Sequence, residues 1–66
     1  MKKINIGDKI KLMQTIKREN IMVKENTIGI IVNIDDEDEF MPLQVKFETS
    51  ERLWLSYNTK MRKVEC

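Results

Sequence analysis

Histidine is absent from the chain, and its one cysteine, Cys66, is the last residue. Without histidine there is no Ser-His or Cys-His nucleophile pair and no imidazole metal ligand, which removes most chemistries open to a small enzyme. One thiol excludes an internal disulfide framework and a multi-cysteine zinc site, the usual reinforcements of very small domains. Cys66 is therefore read as a bystander. No apolar run approaches the length of a membrane span or of a signal-peptide core, so the sequence predicts a cytoplasmic protein with no membrane partner. Charge of one sign is also missing: twelve Lys plus Arg against eleven Asp plus Glu leave a formal net charge of +1, which by itself names no partner. What remains is a chain of 66 residues, 41% hydrophobic and 35% charged, enough for one thin-cored globular domain over residues 1–66 and no second one.

Two glycines and one proline punctuate it. Gly7 and Asp8 form a turn into Lys9–Met13, where Ile10 and Leu12 alternate with Lys9, Lys11 and Met13 as in a half-buried strand. Residues 14–26 show no clean alternation and read as a long loop; a helix over 13–24 is the competitor, weakened by Asn20 and the β-branched cluster beside it. Ile28, Ile30, Val32 and Ile34 then recur every second residue, the pattern of a central strand with these side chains inward and Gly29 on the opposite face. Leu43, Val45 and Phe47 alternate in a third strand begun at Pro42. Leu53 to Leu55 make a fourth, with both leucines inward and Trp54 outward, because burying two leucines hides more apolar surface than burying one indole. A tight turn over Ser56–Thr59 leads to a fifth short strand at Lys60–Glu65. With no amphipathic helix to cover an open sheet, five strands must curl onto one another.

GDKIKL at Gly7–Leu12, TIGIIVNI at Thr27–Ile34 and VKFETSERLWL at Val45–Leu55 resemble the short SH3-like small barrels of phage and mobile elements of low-GC bacteria. The pattern is also similar to KOW-type barrels of ribosomal and transcription-elongation proteins, where a glycine recurs within a hydrophobic second strand. The resemblance implies an all-β fold, a five-stranded SH3-like small barrel with a long first loop, and a non-enzymatic binding module. The paired tyrosines of a peptide-binding SH3 domain are missing, so proline-rich peptide binding does not carry over.

Candidate sites follow from aromatics and charge. Asp35 to Glu39 is an unbroken acidic run that lacks the alternating ligands and central glycine of a calcium loop, so it reads as a solvated hairpin tip, and neither a metal nor a cofactor is expected. Charge is segregated along the chain: +5 over residues 1–24, −7 over 25–51 and +3 over 52–66. First and last strands are commonly neighbours in a barrel, which would join Lys2, Lys3, Lys9, Lys11 and Lys17 to Lys60, Arg62 and Lys63. The preferred reading is a protein-protein interaction adaptor or inhibitor anchored by Trp54, Tyr57, Ile21, Met22, Val23, Phe40 and Met41. Homodimerisation through the Ile21–Val23 patch fits a thin monomer core. The alternative is a KOW-like RNA- or DNA-binding barrel in which Lys9, Lys11, Lys60, Arg62 and Lys63 hold phosphates while Trp54 or Tyr57 stacks on a base.

Overall fold

The computed structural model describes residues 4–64. Strand β1 (Lys9–Leu12) leaves a turn in which Gly7 adopts a φ of +97°, a conformation that a side chain would strain. The hairpin of β2 (Ile16–Arg18) and β3 (Ile21–Val23) follows, then the long β4 (Ile28–Ile34), β5 (Leu43–Phe47), β6 (Arg52–Leu55) and the short β7 (Met61–Lys63). Among the described residues the fold is all-β, with no helix long and apolar enough to cross a membrane.

Five strands form one antiparallel sheet in the order β6-β5-β4-β1-β7, and β2 pairs with β3 as a separate ribbon. Among the described residues the count is therefore seven strands rather than the expected five. The expected barrel is not closed by hydrogen bonds either: β6 and β7 are the two edges of the sheet, with no ladder between them. The five strands read from the sequence are the five of the main sheet. The additional pair lies in the segment expected to be a loop, and neither that loop nor the competing helix is present. Arg18 faces Ile21 across a two-residue turn of Glu19 and Asn20, a turn without the glycine that usually signals a tight hairpin. The ribbon is held at its base by the amide of Glu25 donating to Thr15 Oγ1 at 3.1 Å and that of Asn26 donating to the Leu12 carbonyl at 2.8 Å. It delivers Ile16 and Val23 to the core, which an isolated ribbon could not do.

That core contains Ile10, Leu12, Ile31, Val45, Phe47, Leu53 and Leu55 beside the two ribbon residues, with Leu43 also fully buried. The inward faces of β1, β5 and β6 are those that alternation predicts, and Trp54 points outward. Strand β4 is the exception. Gly29 and Ile31 face the core, while Ile30 is 43% exposed and Ile28 and Val32 are half-buried, the reverse of the expected register. A Cβ on Gly29 would lie 2.6 Å from Val45 Cγ1 and 2.8 Å from Phe47 Cδ1, so the missing side chain is the room that Val45 and Phe47 occupy. A bulge between Ile31 and Asn33 makes Val32 the extra residue and returns Ile34 to the margin of the core.

Candidate functional site

The register of the main sheet decides which polar side chains share its outward face. From β1 come Lys9 and Lys11, from β4 Ile28 and Ile30, from β5 Gln44 and Lys46, from β6 Arg52 and Trp54, and from β7 Arg62. Lys9 lies opposite Ile30, Ile30 opposite Lys46, and Lys46 opposite Arg52, so one row crosses four strands, roughly 14 Å at the usual strand spacing. A second row runs Arg62, Lys11, Ile28. A third pairs Asn33 with Gln44 and Gln44 with Trp54.

Two of these neighbours have like charge. Lys46 stands directly against Arg52 and Lys11 directly against Arg62. Such pairs repel and weaken a sheet. Among the described residues the one ion pair, Lys63 Nζ to Asp8 Oδ2 at 3.4 Å, involves none of the four. An open groove of about 530 Å³ occupies this face, lined among others by Lys9, Ile28, Ile30, Val32, Lys46 and Glu48. Glu48 is the acidic residue at its end, and its Oε2 accepts from the Ile28 amide at 3.3 Å.

The residues singled out from the sequence are dispersed. Lys9, Lys11 and Arg62 share the groove face. Lys63 does not: it lies opposite Ile10 on the core-facing side, half-buried and paired with Asp8. Lys60 precedes β7, where its carbonyl accepts from the Met13 amide at 2.8 Å. Lys17 is exposed on the separate ribbon, while Lys2, Lys3 and Cys66 lie outside the described residues. Of the proposed apolar anchors, Val23 is corrected outright, being 1% exposed and part of the core because its ribbon folds onto the sheet. Ile21 is half-buried against that core and Met22 is exposed. Trp54 is half-buried on the basic face, and its carbonyl accepts from Arg18 Nη2 at 3.2 Å, which ties the ribbon to β6. Phe40, Met41 and Tyr57 are exposed elsewhere: β5 begins at Leu43 opposite Leu55, so the three lie just beyond one end of that strand pair.

The acidic run is a structured tip. Asp38 Oδ1 accepts from the amides of Met41 at 2.9 Å and Phe40 at 2.8 Å, and these two bonds hold its carboxyl below its ordinary range. Asp35 Oδ1 accepts from the Glu37 amide at 3.1 Å in the same loop. Sequence reasoning missed Lys46 and Arg52. The signal for Lys46 was present in the alternation of LQVKF, but the −7 of its segment belongs mainly to this loop and masked one lysine on the opposite side of the strand.

Compared with protein-family models, curated proteins and solved structures, the chain matches none of them.

Proposed function

We propose that the chain is a non-enzymatic SH3-like module of the cytoplasm that binds nucleic acid through the outward face of its main sheet. The barrel-like reading is supported by the order of the sheet, in which the last strand returns beside the first and the first connection carries the hairpin. The observation that carries the function is the pair of in-register like charges, Lys46 with Arg52 and Lys11 with Arg62, gathered with Lys9 on one face. Side chains that repel one another in the free protein are neutralised together by a polyanion, and the counterions released supply the affinity. Ile30, between Lys9 and Lys46, and Ile28 and Val32 along the same strand give an apolar surface that suits the non-phosphate part of such a ligand.

Fluorescence anisotropy with labelled oligonucleotides tests this. Wild type is expected to bind with a log–log salt slope of about −3, as expected for four or five phosphate contacts on a single strand. Lys46→Glu is expected to weaken binding at least about tenfold while raising stability by about 0.5 kcal/mol, since it replaces a like-charge pair by an opposite one. Weaker binding from a more stable protein cannot be ascribed to unfolding. No binding at low salt, or equal binding by Lys46→Glu, overturns the reading.

A protein-docking role draws on a separate observation, the exposure of Phe40 at 80% with Met41 and Tyr57 beyond the same end of β5 and β6. Phe40→Ala leaves oligonucleotide binding unchanged if the two surfaces are independent.

A further inference from the structure

A duplex presents phosphates outward and hides its base faces, so it would engage cations and leave the apolar part of this surface unused. Here the cationic row Lys9–Lys46–Arg52 includes the exposed Ile30, runs beside the half-buried Ile28 and Val32, and has an outward indole two residues along β6 from Arg52, about 7 Å away. Gln44 stands directly opposite Trp54, and Asn33 directly opposite Gln44, so two side-chain amides continue the row that begins at the indole. Asn33 Oδ1 accepts from the Ile34 amide at 2.9 Å, which leaves its NH2 to donate outward. An aromatic platform, adjacent amides and a parallel line of cations are the parts needed to hold an unpaired base by its face, its edge and its phosphate.

Resting on the nucleic-acid reading above, we infer that the ligand is single-stranded: its backbone follows Lys9, Lys46 and Arg52 while one unpaired base stacks on Trp54 with its edge toward Gln44. Ile30, between Lys9 and Lys46, covers the sugar or the neighbouring base. Duplex binding is weaker because paired bases cannot reach the indole. The amides can donate and accept in either orientation, so sequence preference is mild and confined to the stacked base.

Trp54 is the chain's one tryptophan, so its emission reports this site without a label. The probes are a uridine dodecamer, a thymidine dodecamer and a 12-base-pair DNA duplex, each titrated with wild type, Trp54→Phe, Trp54→Ala and Gln44→Ala. Expected are quenching of Trp54 by both single strands and not by the duplex, and tighter binding of the single strands. Trp54→Ala should lose about ten- to hundredfold in affinity, whereas Trp54→Phe keeps most of it and preserves the half-buried packing of the ring. Gln44→Ala should weaken binding of both single strands by less than Trp54→Ala does, since it removes an edge contact and keeps the stacking platform. Tighter uridine than thymidine binding identifies RNA as the preferred source, and the reverse identifies DNA. A duplex that binds as tightly as the single strands, single strands that leave the wild-type Trp54 emission unquenched, or single-strand affinities, read by anisotropy of labelled oligonucleotides, that are equal for Trp54→Phe and Trp54→Ala overturn the inference while leaving the cationic face intact. Failure of all three probes to bind wild type overturns both this inference and the reading on which it rests.

Discussion

Gly29 is where one atom sets the register of the central strand. Its neighbours Val45 and Phe47 are both core residues, and a methyl group would sit within 2.8 Å of each. Gly29→Ala is expected to lower stability by about 1–3 kcal/mol, because overpacking outweighs the smaller entropy gain of removing a glycine. The urea midpoint measures it; an unchanged or higher midpoint would mean that the inner face is not packed as described. Ser50, with a φ of 75°, shows the opposite economy, since it holds a left-handed turn position without glycine, its amide donating to the Phe47 carbonyl at 2.8 Å. Charge at single positions was legible in the sequence for Lys9, Lys11 and Arg62, which alternate with inward residues on their strands. The ion pair of Lys63 with Asp8 was not, because it depends on β7 returning beside β1 and the turn before it.

Strand β4 shows why element-scale periodicity misleads. Every second residue from Ile28 to Ile34 is aliphatic, yet Ile31, from the other set, is the residue with no exposure. Ile30, Ile31 and Val32 run together, so aliphatic side chains stand on both faces of the strand, and the choice of the buried face falls to its partner strand. Ile31→Ala is expected to cost about 3 kcal/mol, close to the whole stability of a domain this size. Ile30→Ala should cost less than about 1 kcal/mol despite the identical change. Circular dichroism on both variants decides between the two faces, and equal losses would contradict the assignment. The β2–β3 ribbon failed to appear in the sequence reading for a related reason. Its strands have three residues each, too few for alternation to show, and its turn of Glu19 and Asn20 looks like an ordinary polar stretch.

Across the molecule, 29 × 27 × 19 Å, Lys9, Lys11, Lys46, Arg52 and Arg62 gather on one sheet face and an unbroken acidic run fills the loop from Asp35 to Glu39. Both concentrations repel internally. Added sodium chloride is therefore expected to raise the melting temperature by a few degrees, about 2–4 °C between 0.1 and 1 M, while weakening oligonucleotide binding. Differential scanning fluorimetry checks the first half, and a fall in melting temperature would show that attractive pairs dominate. The edges of the sheet are guarded differently: β7 is short and carries Arg62 and Lys63, and β6 is tied to the ribbon through Arg18.

Alternation, turn residues and the lack of any amphipathic helix were enough to establish an all-β chain, the five strands of its main sheet, and the outward placement of Trp54, because these depend on each segment's own pattern of apolar and polar residues. Tertiary structure alone decided which face of β4 is buried, that Val23 belongs to the core, and that Lys46 and Arg52 join Lys9, Lys11 and Arg62. Those outcomes depend on which strands lie side by side, and adjacency is set by packing around Phe47 and Gly29 between segments far apart in the chain.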